Sequence, residues 1–158
     1  MAAVDIITTH LDETKALLIQ SYKSKGLKAS GSFERGLEVK VRDDGRTIHG
    51  EIKSEGHAWF MEQGRKPNAT QTAQAARSLG KVLEQWVKDK GINVNPYAAA
   101  WKIVREGTKV PNSRNTGTVF SDVLTEDWEK KMIDRVGVYY VKLFEVQIIT
   151  DLKKLIAK

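Results

Sequence analysis

A chain of 158 residues, 41% hydrophobic and 29% charged, has the size and balance of a single soluble domain that an ordinary apolar core can stabilise. It has no cysteine, which excludes a disulfide framework, a thiolate zinc site and a cysteine nucleophile. Its net charge of +6 is uneven: residues 64–118 hold ten basic and three acidic side chains. The basic character therefore belongs to one segment, suited to nucleic acid or an acidic protein partner, or to a solvated helical surface with scattered lysines.

The first twenty residues carry Asp5, Asp12 and Glu13 and lack a basic start followed by an apolar block, so they read as mature protein and not as a signal peptide. Ile7, Leu11, Leu18 and Tyr22 fall at helical spacing, which predicts an amphipathic helix from Val4 to Lys25, stopped by Gly26. After a Gly/Ser loop, Phe33, Leu37, Val39 and Val41 share one parity and Glu34, Glu38, Lys40 and Arg42 the other, the pattern of a strand with one buried face. Asp43-Asp44-Gly45 signals a turn, and Ile48 and Ile52 resume the period of two, completing a β-hairpin. Trp59, Phe60 and Met61 between Gly56 and Gly64 predict a short helix, and Arg65-Lys66-Pro67-Asn68 a loop. Helix is expected from Thr70 to Gly91, in one piece or two, with Leu79, Val82, Leu83, Trp86 and Val87 on its apolar side. Asn95-Pro96 opens the next, as N-cap and first helical position, and Gly107 ends it. The stretch from Thr108 to Thr118, with no periodicity and with Lys109 and Arg114, is expected to be an exposed, basic, mobile loop.

Thr125 is placed to cap a final helix whose first turn carries Glu126, Asp127 and Glu129. Leu124, Trp128, Met132, Val136 and Tyr140 recur every four residues, and thirteen of the twenty-one positions from Val136 to Ile156 are apolar. A helix apolar on most sides requires burial in its own domain or against another subunit. Unbroken to Ala157 it would run about 50 Å, longer than the roughly 40 Å breadth of a compact chain of this size. Either Gly137 kinks it or its end projects into a neighbour. A strand within Val136–Ile149, a segment rich in β-branched and aromatic residues, is the alternative.

The chemistry of catalysis is poorly represented. His10, His49 and His57 form no i, i+4 pair and no HExxH motif, so no metal site is expected. No serine sits in a GxSxG elbow, no glycine-rich phosphate loop is present, and the Asp43-Asp44 and Glu126-Asp127 pairs are explained by a turn and a helix start. No enzymatic activity and no cofactor is expected. Trp59, Trp86, Trp101 and Trp128 each lie in an apolar pattern and are expected in the core rather than on a base-stacking platform. No membrane contact is expected, since no apolar run approaches ~18 residues.

The order of parts carries more than any single motif. A hairpin is followed by Trp59-Phe60-Met61-Glu62-Gln63-Gly64, by a helix ending Lys90-Gly91-Ile92, by AAAWKIVREGT from Ala98 to Thr108, and by Phe120-Ser121-Asp122 before the terminal helix. From Phe33 onward this series resembles the tail-completion or neck protein family of tailed double-stranded DNA bacteriophages. It departs from that pattern at Gln63, where the family often has an aromatic residue, and in the insertion-like stretch 70–76. The resemblance implies a structural virion subunit rather than an enzyme. Several copies would form a ring at the head–tail junction, around the channel through which DNA leaves, beside portal or neck and tail-tube proteins, after assembly in the host cytoplasm.

The expectation is then a single α+β domain over residues 1–158, a small antiparallel hairpin-based sheet packed against several helices, with a long C-terminal helix. Candidates for subunit contact are Phe33, Glu34, Leu37, Trp59, Phe60, Met61, Tyr139, Phe144 and Ile148, for each of which a place in the core is the alternative. Arg65, Lys66, Lys109 and Arg114 are candidates for loops that meet a neighbouring ring or passing DNA. The rival function is a free, small, basic DNA-binding module.

Overall fold

The computed structural model describes residues 2–156 except 57, 69 and 71, and leaves aside the side chain of Leu155; His57 and the last part of the expected terminal helix thus lie outside the described residues. The fold is α+β. Eight elements follow in chain order: α1 (Ala3–Ser24), α2 (Ser32–Gly36), β1 (Glu38–Asp43), β2 (Ile48–Lys53), α3 (Ala58–Gln63), α4 (Ala73–Lys90), α5 (Pro96–Glu106) and α6 (Glu126–Ile156). β1 and β2 pair antiparallel, from Glu38 opposite Lys53 to Asp43 opposite Ile48. The four-residue loop between them is held by Asp44, whose Oδ1 accepts from the amides of Arg46 and Thr47 at 2.9 and 2.7 Å.

Helix α1 lies across this hairpin. Gly50 makes the approach possible: a Cβ there would stand 2.8 Å from Leu11 Cδ1 and 3.1 Å from Ile7 Cγ2. The core forms where the C-terminal half of α1 meets α2 and the segment after α5, and comprises Leu18, Tyr22, Phe33, Leu37, Ala58 and Val119, flanked by Met61 and Phe120. The ring of Phe33 sits 4.4 Å from that of Tyr22 and 6.2 Å from that of Phe120. Helices α4 and α5 form an antiparallel pair closed over Gly80, where a Cβ would enter the ring of Tyr97. Local chemistry sets the ends of this pair. Thr72 Oγ1 caps α4, Asn95 Oδ1 caps α5 through the amides of Tyr97 and Ala98, and Gly91 closes α4 with φ of 61°.

Four expectations are corrected. Phe33 does not begin the strand: it lies on α2, and β1 starts at Glu38, because the chain turns once as a helix to aim the phenyl ring into the core. Phe33 and Leu37 are 1% and 2% exposed, so neither is available to another subunit. Trp59, Trp86 and Trp101 are exposed rather than core; the positions that α4 and α5 bury are the small ones, Ala76 and Gly80 on α4 and Ala100 and Val104 on α5. The alternative of a strand within Val136–Ile149 is overturned, since α6 is helical throughout, Gly137 included.

Candidate assembly surfaces

Two regions concentrate the residues singled out in the sequence. The first is a knot that ties α3 to the segment after α5. Gly64 and Gly107 flank the two residues of an isolated antiparallel bridge, in which Arg65 N donates to Thr108 O at 2.9 Å and Thr108 N to Arg65 O at 2.7 Å. A Cβ on Gly64 would collide with Thr108 O, and one on Gly107 with Arg65 O; both glycines have positive φ, 73° and 74°. The Glu62 carboxylate then accepts from the amides of Phe120 at 3.1 Å and Ser121 at 3.3 Å, and from the Ser121 hydroxyl. It acts as the cap of the turn that leads to α6.

Asp122 completes the knot. Lys25 Nζ, at the end of α1, donates to Asp122 Oδ2 at 2.7 Å and to Thr118 Oγ1 at 3.0 Å. This hydrogen-bonded ammonium holds the Asp122 carboxyl below the usual carboxylate range. The network also holds Thr118 at φ of 60°, a conformation that a β-branched residue adopts only when its surroundings impose it. These residues thus have structural tasks here: Glu62 caps, Gly64 and Gly107 permit contact of two backbones, Phe120 packs against the core and Asp122 anchors α1.

The expected mobile loop from Thr108 to Thr118 is a built structure. Asn112 and Asn115 exchange backbone hydrogen bonds of 2.7 and 3.2 Å, and Asn115 Nδ2 donates to Met61 O at 2.9 Å. The structure therefore gathers Arg65, Lys66, Lys109 and Arg114 on the two segments joined by the Arg65–Thr108 bridge. Lys66, Lys109 and Arg114 are exposed, and the Arg65 guanidinium lies 5.8 Å from the centre of the exposed Phe60 ring. Trp59 beside it is 63% exposed, whereas Met61 packs against the core and Glu34 is half-buried. Trp59 and Phe60 remain available as contact residues.

The second region is α6. Its first turns dock on α1 through a polar set whose partners lie more than a hundred residues apart in the chain. Trp128 Nε1 donates to Thr14 Oγ1 at 2.7 Å, the Trp128 ring lies 5.1 Å from that of His10, and Arg135 Nη1 donates to Glu13 Oε2 at 2.7 Å and reaches His10 Nδ1 at 3.3 Å. Burial, with Arg135 close by, pushes the His10 imidazole below its ordinary value. Only the placement of His10, Thr14 and Leu18 on one side of α1 hinted at this seam. An open groove of about 770 Å³ runs along it, lined by Ile6, Thr9, Val138 and Tyr139 among others.

Beyond Tyr139, α6 leaves its own domain. Every residue from Tyr140 to Ile156 whose side chain is described is exposed, Phe144 at 67% and Ile148 at 42% among them. With 31 residues the helix is about 46 Å long. Of the three expected α6 contact residues, Tyr139 lies in the seam groove and Phe144 and Ile148 point to solvent. Among the described residues no group of three acidic or histidine side chains is placed to hold a metal ion, and no helix is long and apolar enough to cross a membrane. Comparison with protein-family models, curated proteins and solved structures found no significant match.

Proposed function

We propose that this chain is a structural subunit of a tailed-phage virion, one copy in a ring at the head–tail junction, as a neck or tail-completion protein. One observation carries the reading: the second half of α6, from Tyr140 to Ile156, is mainly apolar, helical and uncovered by its own domain. Burying such a segment is favourable by about 25 cal/mol per Å² of apolar surface, and no other element among the described residues supplies that burial. The ordered series of motifs supports the family, and the exposed Trp59–Phe60 pair beside a basic edge offers a second contact for a neighbouring ring. The test is negative-stain imaging of lysates from a phage lacking this gene, with complemented controls. Separate heads and tails, or heads that leak DNA at the vertex, are expected; intact infectious particles would overturn the proposal.

The placement of Arg65, Lys66, Lys109 and Arg114 on two segments joined by the Arg65–Thr108 bridge, with the last three exposed, favours a second function, a free duplex-binding module. If all four neutralise phosphates, affinity should drop about 150-fold between 50 and 200 mM salt, and Lys109→Glu with Arg114→Glu should abolish binding. Absence of duplex binding at low salt removes this alternative.

A further inference from the structure

Trp59 and Phe60 stand side by side on α3, 63% and 46% exposed, while Ala58 before them and Met61 after them are held by the core. The backbone beneath the two rings is pinned. Phe60 O accepts from Gly64 N at 3.0 Å, Met61 O accepts from Asn115 Nδ2 at 2.9 Å, and the Glu62 carboxylate is bonded to the turn before α6. Two large aromatic faces are thus presented to water on a rigid base, and a ligand that used them would have only side-chain freedom left to order.

The charge beside the rings is positive. The Arg65 guanidinium lies over the Phe60 ring, 5.8 Å from its centre, within the range of cation–π attraction. The backbone of Arg65 is bridged to Thr108, which Lys109 follows, and Asn115, the residue bonded to Met61 O, follows Arg114. Among the described residues, Arg65, Lys66, Lys109 and Arg114 form no ion pair. The acidic group on α3 itself, Glu62, is occupied by the amides of Phe120 and Ser121 and by the Ser121 hydroxyl.

An apolar partner would match the rings and leave the cations unpaired. A polynucleotide brings a flat base and a phosphate at every step, which suits rings and cations together. The form of the strand follows from the rings. Neighbouring positions on a helix diverge by about 100°, so Trp59 and Phe60 accept two bases splayed apart rather than one continuous stack. In a duplex the base faces are stacked on one another; an unpaired strand offers them to aromatic side chains.

We infer that the Trp59–Phe60 edge is a binding site for single-stranded nucleic acid, whose bases stack on the two rings and whose phosphates meet the cations of the bridged segments. This goes beyond both readings above, since a ring subunit needs no such site and a duplex binder uses the cations without the rings.

Fluorescence anisotropy of a short labelled oligothymidylate at 50 mM salt tests it, with oligouridylate as the arm that separates DNA from RNA. Binding of either strand is expected, tighter than that of a duplex of equal length. Trp59→Ala and Phe60→Ala should each weaken it about 5–150-fold, whereas Trp86→Ala, at an exposed tryptophan of α4, should not. An abasic strand separates stacking from charge: it should bind the parent more weakly, and Trp59→Ala should weaken it no further. Arg114→Ala should reduce the slope of log affinity against log salt by about 0.7, while Trp59→Ala leaves the slope unchanged. Both rings lie at the surface, so the thermal midpoints of the aromatic variants should match that of the parent. Absence of binding to both strands, tighter binding of the duplex, or unchanged affinity in both aromatic variants would each overturn the inference. The head–tail proposal is decided separately by particle morphology, and the duplex reading by the duplex arm.

Discussion

Removing the Glu62 carboxylate tests whether the most distinctive motif of the chain is structural. Glu62→Ala deprives three donors of their acceptor: the partly buried amide of Phe120 and, at the surface, the amide and hydroxyl of Ser121. A hydrogen bond to a charged group contributes about 1.5–3 kcal/mol, and the Phe120 amide, left without its acceptor, accounts for that share. The exposed Ser121 groups regain water and add about 0.5 kcal/mol each. The sum, about 2.5–4 kcal/mol, corresponds to a thermal midpoint lower by roughly 5–16 °C for a chain of this length. Glu62→Gln keeps one oxygen for either amide but turns an NH₂ group toward the other, so it should lose about half as much. Thermal denaturation followed by tryptophan fluorescence reads both variants, with Ser121→Ala as the control that removes only the hydroxyl. A Glu62→Ala midpoint within experimental scatter of the parent would refute the capping role and return Glu62 to the residues available for another task.

The remaining predictions concern the supports of the two surfaces. His10 has a lowered folded-state pKa, so the unfolded chain binds its proton first; stability is full above the ordinary value of 6.5 and falls as pH drops through the folded value. A His10→Asn variant should lack that step in a pH series of chemical denaturation, and an unchanged profile would remove His10 from the seam's acid sensitivity. Gly107→Ala combines φ of 74° with a Cβ that would stand 2.9 Å from Pro67 N and collide with Arg65 O. It should destabilise by more than about 1–2 kcal/mol, read as a drop in thermal midpoint; a neutral result would show the bridge free to shift. Asn95→Ala removes the acceptor for two amides at the start of α5 and should cost about 1 kcal/mol by denaturant titration, whereas Asn95→Ser should retain most of it.

Elements fixed by neighbours in sequence were legible in it. Asn95-Pro96, Gly91 and the Asp44 turn act within a few residues of themselves, and the structure places helix ends and hairpin where those signals stand. Elements fixed by distant partners were not. Glu62 meets Phe120 and Ser121, Asn115 meets Met61, and Lys25 meets Asp122, so a segment without periodicity read as mobile although it is bonded at both ends. Parity misled at Phe33, because one helical turn and a strand can both bring residues 33 and 37 to the same side. The tryptophans misled for a different reason. An apolar pattern shows which face a helix withholds from water, but not whether the covering surface belongs to the same chain.

That distinction returns at Gly137. Glycine in a helix interior is less favourable than alanine by about 0.8–1.0 kcal/mol, and elsewhere the fold offsets such a loss with a visible contact: Leu11 over Gly50, Tyr97 over Gly80. Gly137 has helical geometry and open space around it, so Gly137→Ala should stabilise the isolated chain by up to about 1 kcal/mol and raise the helical signal of α6. Thermal denaturation followed by far-UV dichroism measures the effect. A destabilising alanine would refute the reasoning, because it would show that the fold of the single domain uses the bare backbone at Gly137. A stabilising one would leave this glycine without a task in the isolated domain, in contrast to Gly50 and Gly80, whose missing side chains are filled by Leu11 and Tyr97.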